Sequence, residues 1–132
     1  MNAAQSIGAG LALLAIFGTG PALACGHCVE DRNASVYDHV LVQRTLASNH
    51  RIAYFAWDGP LARNPAARRQ LLVRVEATAG VDQGSARVSM EPEAIAVAFD
   101  PRRSDATAIE AALRSKLAPL KVSLVPLQPP AP

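Results

Sequence analysis

The sequence predicts an α+β fold in which four strands form one antiparallel sheet and two helices pack on one of its faces. One extra helix is expected before the first strand. Two observations lead to this prediction. The chain has 132 residues, of which 50% are hydrophobic and 18% are charged, and this suffices for one core but not for two. Apolar and amphipathic segments then follow each other in the order strand, helix, strand, strand, helix, strand.

The first strand and the first core helix have clear boundaries. Arg51–Asp58 is short, apolar and aromatic, as in a largely buried strand, and Gly59 and Pro60 end it. Pro65 is typical of the first turn of a helix, and Gly80 is its expected end. We expect Leu71, Leu72 and Val75 to face the core, and Arg68, Arg69 and Arg74 to face water.

A hairpin, a second helix and a last strand complete the sheet. Residues 86–90 and 94–99 read as two strands joined by a turn at 90–93. Ser104 or Asp105 can cap a helix that ends near Pro119, and residues 121–125 form the last strand. This order is that of a ferredoxin-like βαββαβ sandwich. The residues expected on the buried face of the second helix are Ile109, Ala112, Leu113 and Leu117.

The extra N-terminal helix is predicted over residues 35–48. Ser35 and Asp38 have the spacing of a capping box, and apolar residues follow at helical intervals. This helix either covers the open face of the sheet or packs beside its edge. Its apolar positions are Val36, Tyr37, Val40, Leu41 and Ala47.

The N-terminus resembles a secretion signal. Residues 7–23 are apolar and uncharged, and Ala22 and Ala24 are the small residues that a signal peptidase requires. The run is short for a membrane span, which needs about 20 apolar residues. We therefore predict a signal peptide over 1–24 and an exported, periplasmic protein. The alternatives are an uncleaved membrane anchor or buried helix, and lipidation of Cys25, because a small residue precedes that cysteine as in bacterial lipoproteins.

Composition excludes several functions. A net charge of +2 and only six aromatic residues argue against a nucleic-acid partner. A membrane partner is expected only if Cys25 is lipidated or the signal peptide is retained. No Ser-His-Asp set, phosphate loop or pair of carboxylates is recognisable, so binding is favoured over catalysis.

The sequence Cys25-Gly26-His27-Cys28 is the feature that points to chemistry. Two cysteines at this spacing can place both sulfurs on one soft ion, such as Cu(I) or zinc, and His27 can add a third ligand. The same motif occurs in dithiol oxidoreductases, in which a histidine between the cysteines stabilises a thiolate. A complete thioredoxin domain is not expected, because cleavage after Ala24 leaves no strand before the motif. The remaining alternatives are a local disulfide and a non-catalytic interaction module.

Three segments resemble the heavy-metal-associated domain, a family that includes small copper chaperones, a periplasmic mercury carrier and modules of metal-pumping ATPases. They are residues 80–89, 96–101 (Ala-Val-Ala-Phe-Asp-Pro) and 109–113 (Ile-Glu-Ala-Ala-Leu). The resemblance covers about residues 52–127 and implies the ferredoxin-like fold together with a metal-donor or metal-acceptor partner.

The chain departs from this family at the metal site. The family binds metal through Cys-x-x-Cys in the loop after the first strand, whereas the loop 59–65 contains no Cys, His, Asp or Glu. We therefore predict Cys25, Cys28 and His27 as the metal ligands, in a segment 25–50 that precedes the ferredoxin-like domain 51–127 and a disordered proline-rich tail 128–132. The rival hypothesis is thiol-disulfide exchange with a redox partner.

Overall fold

The computed structural model describes residues 28–131. The predicted signal peptide, Cys25 and His27 lie outside these residues. None of the described helices is long and apolar enough to cross a membrane. The elements are α1 (Val29–Val36), α2 (His39–Ala47), β1 (Arg51–Asp58), α3 (Pro65–Glu76), β2 (Arg87–Met90), β3 (Glu93–Phe99), α4 (Ala106–Leu117), a 3-10 turn (Ala118–Leu120) and β4 (Ser123–Leu127).

The sheet confirms the predicted α+β, ferredoxin-like fold. Its strand order is β2-β3-β1-β4, and every neighbouring pair is antiparallel. In the register of the two central strands, Phe55 lies opposite Ile95. The connections β1-α3-β2 and β3-α4-β4 are the two halves of the split βαβ arrangement.

The core lies between the sheet and the α3/α4 layer. Leu71 and Val75 of α3 and Ile109 and Leu113 of α4 are fully buried, as the helical periodicity predicted. The strands contribute large side chains to the same cluster. They include Phe55, Trp57, Val88, Ile95, Val97, Phe99 and Leu124.

Side-chain caps fix the start of both core helices. The side chains of Asn64 and Asp105 accept hydrogen bonds from the third residue of α3 and of α4, respectively. The predicted end of α3 at Gly80 is wrong, because the helix ends at Glu76. Glycine is needed at position 80 for a different reason. Its φ is +88°, and a Cβ there would lie 2.9 Å from Cδ1 of Ile109.

The helix predicted over 35–48 is present as α2, but its predicted start is wrong, and a second helix, α1, precedes it. The chain forms two helices separated by Tyr37, which has an extended backbone, and by Asp38. Asp38 caps α2 by accepting a hydrogen bond from the backbone N–H of Leu41, whereas Ser35 donates to the carbonyl of Arg32 within α1. The Ser35/Asp38 spacing therefore marks the end of one helix and the start of the next.

Helix α1 covers part of the sheet face opposite α3 and α4. Val36 is 4% exposed and packs with Tyr54, Ala94 and Ala96. The sequence left the position of the extra helical segment open, and α1, its first part, lies on the open face of the sheet. The last strand also extends past the predicted Val125 to Leu127, with a proline that an edge strand can accommodate.

Candidate metal centre

Cys28 is the one residue of the predicted dithiol motif within the described part of the chain. It is the N-cap of α1, its backbone is extended, and its thiol is free and exposed. Its predicted co-ligands, Cys25 and His27, precede the described residues, so the ligand set stays a prediction. An exposed thiol at the start of a surface helix is accessible to a metal ion or to a partner protein.

Two carboxylates in the first turn of α1 determine the electrostatics of this thiol. The backbone N–H of Asp31 lowers the pKa of Cys28, but the side chains of Glu30 and Asp31 oppose it, and the net pKa lies above its ordinary value. Both carboxylates also counter the positive end of the helix dipole. The surroundings therefore disfavour a free thiolate and favour the approach of a cation.

Polar contacts hold α1 on the sheet. Arg32 donates to the backbone carbonyl of Glu93 at 2.5 Å, and Asn33 donates through Nδ2 to the carbonyl of Gln128 at 2.8 Å. Asn33 is 5% exposed, and its Oδ1 has no hydrogen-bond partner within residues 28–131. The contacts of Arg32 and Asn33 join α1 to β3 and to the chain after β4.

The loop after β1 contains an arginine in the region where the heavy-metal-associated family binds metal. The Arg63 guanidinium lies 4.5 Å from the centroid of the Trp57 ring, and its Nη2 is 2.8 Å from Oε1 of Glu93. Arg63 also donates to the carbonyl of Leu61 at 2.5 Å. Gly59 allows close approach to the start of β4, because a Cβ there would lie 3.0 Å from the carbonyl oxygen of Lys121. This loop presents an ion-paired arginine and no metal ligand.

Glu93 connects this loop to α1. Its Oε1 pairs with Arg63, and its Oε2 lies 3.7 Å from Nη1 of Arg32. Burial raises the pKa of Glu93, but the hydrogen bond and charge of Arg63 and the charge of Arg32 lower it by more. Sequence reasoning missed this bridge because Arg32 and Arg63 lie 61 and 30 residues from Glu93.

The histidines of the described region are engaged elsewhere. Nδ1 of His50 is 2.6 Å from Oδ2 of Asp82, and its Nε2 is 3.8 Å from Oδ2 of Asp100. This contact links the α2–β1 junction to two loops. His39 is exposed, and its Nδ1 lies 3.5 Å from the hydroxyl of Tyr37. Across residues 28–131, no three His, Cys, Asp or Glu side chains are arranged to hold a metal ion.

Two solved structures are similar to this chain. An oxidised MerP from Ralstonia metallidurans CH34 is 15% identical with a TM-score of 0.46, and the match covers 60% of this chain and 99% of that one. The apo N-terminal domain of the zinc(II) ATPase ZiaA is 17% identical with a TM-score of 0.44, and the match covers 58% of this chain and 64% of that one. No family model matches the chain, and no curated protein matches it significantly. The fold assignment rests on the strand order and helix placement described above.

Proposed function

We propose that this protein is an exported carrier of a soft metal ion, such as Cu(I) or zinc, which it binds through Cys25 and Cys28 with His27 as an optional third ligand. The observation on which this depends is the Cys-Gly-His-Cys sequence, whose last cysteine is an exposed thiol at the start of α1. Two thiolates are the ligands that soft ions prefer. Exposure at the end of a helix suits transfer of the ion to a metal-acceptor protein.

The charges around Cys28 favour metal binding over thiol-disulfide exchange. Reactive thiols in oxidoreductases have a lowered pKa, because the thiolate is the nucleophile. The carboxylates of Glu30 and Asp31 have the opposite effect and raise the pKa of Cys28. The same carboxylates attract a cation, and a bound cation displaces the thiol proton.

The ferredoxin-like domain acts in this proposal as a scaffold. The loop 59–65 has no ligand side chain, and its Arg63 is held in an ion pair with Glu93. The sheet instead supports α1 through Val36 and Asn33, and α1 presents Cys28. The metal site of the resembling family is thus replaced by a site in the N-terminal segment.

Competition titration tests this proposal. Purified, fully reduced protein is titrated with Cu(I) in the presence of a chromogenic chelator, after mass spectrometry has established the N-terminus and the absence of a lipid. We expect one ion per chain, proton release on binding, and weaker affinity at lower pH because protons compete for the thiolates. Cys28→Ser should weaken binding by orders of magnitude, and His27→Ala by far less.

Two controls separate metal binding from its rival. His39→Ala removes an exposed histidine of α2 and should leave the affinity unchanged. A disulfide-reductase assay on the same samples should show no activity that depends on Cys28. Catalysed disulfide exchange without stoichiometric metal would favour a redox function, and failure to compete for Cu(I), zinc or Hg(II) would overturn the metal proposal.

A further inference from the structure

Helix α3 carries three arginines that have no carboxylate partner within residues 28–131; two are exposed and one is half-buried. Every ion pair of an arginine within residues 28–131 uses Arg32, Arg63, Arg87, Arg102 or Arg114. Arg68, Arg69 and Arg74 of α3 are in none of them. The one acid of the helix, Glu76, accepts hydrogen bonds from the backbone N–H groups of Gly84 and Ala86 at 2.9 and 2.8 Å. Its charge is therefore engaged by the 84–86 backbone and not by the arginines.

Backbone carbonyls hold two of these guanidinium groups in place. Arg68 donates through Nε to the carbonyl of Val88 at 3.0 Å, and Arg74 donates through Nη1 to the carbonyl of Lys116 at 3.4 Å. A guanidinium has five N–H donors, so each retains donors for an external acceptor. Groups that are already oriented lose less conformational entropy on binding.

Two shallow, open depressions lie beside these arginines. A depression of about 470 Å³ is lined by residues that include Arg68, Arg69 and Leu72, and one of about 510 Å³ by residues that include Arg69, Val73 and Arg74. Arg69 lines both depressions, and Val73 is 60% exposed. We call the surface formed by Arg68, Arg69, Val73 and Arg74 the α3 groove.

We propose that the α3 groove docks an acidic segment of a partner protein. Guanidinium groups match the two oxygens of a carboxylate, and here they are unpaired and partly oriented. Arg69 and Arg74 are separated by about 7.5 Å along the helix axis, so they can engage two carboxylates of one segment. Val73 lies between them and offers the apolar contact that protein interfaces place among arginines.

An anionic membrane fits this surface less well. Helices that bind membranes insert an apolar face, but Leu71 and Val75 of α3 are fully buried in the core. Val73 is the one large apolar side chain of α3 that is exposed for insertion.

The groove and Cys28 lie on opposite faces of the sheet. Helix α3 packs on the face that carries Phe55, whereas α1, which Cys28 caps, packs on the face that carries Tyr54. A partner held in the groove therefore leaves Cys28 uncovered. The docking proposal does not depend on metal binding, and either proposal can fail without the other.

Fluorescence anisotropy with a labelled peptide of ten glutamates tests the docking proposal. We expect saturable binding at low salt that weakens as salt is added, and binding about tenfold weaker in the double variant Arg69→Gln/Arg74→Gln, as for two lost guanidinium–carboxylate pairs. The matched control is Arg44→Gln/Arg103→Gln, which removes the same charge from two exposed arginines outside the groove that lack ion pairs within residues 28–131. It should weaken binding less than twofold. Val73→Glu is a second test. It places a negative charge in the groove at an exposed position and should therefore weaken peptide binding.

Three results would overturn the proposal. Equal losses in the two double variants would show attraction by net charge alone, and absence of peptide binding at low salt would remove the groove as an acidic-peptide site. Binding to phosphatidylglycerol-containing vesicles that is lost in Arg69→Gln/Arg74→Gln, with peptide binding unchanged, would identify a membrane as the occupant. Circular dichroism should show that all variants remain folded, because glutamine and arginine have similar helix propensity.

Discussion

One face of the sheet carries large apolar side chains and is covered by two 12-residue helices, whereas the other carries Tyr54 with small residues of β3 and is covered in part by the 8-residue α1. Strand β3 shows the contrast within seven residues. Ile95, Val97 and Phe99 point toward α3 and α4, and Ala94 and Ala96 point toward the other face. On β3 the two faces therefore differ in side-chain size and not in burial, because all five of these residues are at most 3% exposed.

The difference shows that the molecule has a self-sufficient core and an attached helix. The α3/α4 face buries enough large side chains to form one core without α1. Helix α1 contributes one fully packed apolar side chain, Val36, and depends otherwise on polar contacts of Arg32 and Asn33. If Cys25 and Cys28 bind metal, the helix that carries the site can therefore shift without unfolding the core.

The largest effect on the free energy of unfolding is expected from a cavity in the core between the sheet and helices α3 and α4. Leu113 is fully buried, so Leu113→Ala should lower the free energy of unfolding by about 2–5 kcal/mol. That loss is a large share of the stability of a small domain. Urea denaturation followed by circular dichroism measures it. Leu46→Ala is the matched control, because Leu46 is 64% exposed on α2 and its truncation should change stability little. Equal losses in both variants would refute this assignment of the core.

A charge under α1 should have a local effect. Val36→Asp places a carboxylate against Tyr54 and Ala96, and the helix should detach because a buried unpaired charge is costly. Hydrogen exchange should show lost protection in 29–36 while the amides of α3 and α4 stay protected. Val40→Asp makes the same change at a 64% exposed site and should have no such effect. Global unfolding of Val36→Asp would mean that α1 belongs to the core.

Sequence reasoning worked best where a local signal and the global fold agree. Strand β1 was predicted with its exact bounds, because the apolar run and the Gly59-Pro60 stop coincide. Asp105 was correctly offered as the cap of α4. In both cases the deciding residues are adjacent in the chain.

Sequence reasoning failed where a contact between residues distant in the chain decides between two possible local structures. The Ser35/Asp38 pair fits a helix start, but Asp38 also binds Arg87, 49 residues away, and this favours a cap for α2. The same limitation applies to the candidate site, whose geometry depends on contacts between distant residues. The Cys-Gly-His-Cys spacing predicts ligands without placing them, and the bridge through Glu93 depends on residues from three separate segments.

Lowering the pH should weaken the packing of α1 on the sheet before it weakens the core under α3 and α4. The pKa values of Glu93 and Asp38 lie below their ordinary values of 4.5 and 3.8, because both bind arginines and backbone donors. Their ionised forms therefore stabilise the fold above those ordinary values, and this contribution is lost as the pH falls through the lowered folded-state values. Asp100, with a pKa of about 2 set mainly by Arg102, stays ionised over most of that range.

Hydrogen exchange near pH 3 tests this order of events. Protection of 29–36 should fall relative to that of α4, after correction for the intrinsic effect of pH. Glu93→Gln should reduce the pH dependence, because it removes the titrating carboxylate that links α1 to the loop. A uniform loss of protection over both faces would contradict the comparison.

The smallest effect on metal affinity is expected from a substitution in the loop after β1, where the heavy-metal-associated family binds its metal. Arg63→Ala removes the cation from the loop after β1, but that loop has no ligand side chain, so Cu(I) affinity should change less than twofold. Glu93 keeps Arg32 as its partner, so α1 should remain in place. The lost contact with Trp57 should lower stability by about 1 kcal/mol or less. Cys28→Ser, measured in the same titration, supplies the large loss for comparison. If Arg63→Ala instead weakened binding strongly with its circular dichroism unchanged, the metal would lie at the loop after β1, and the N-terminal segment would not be the binding site.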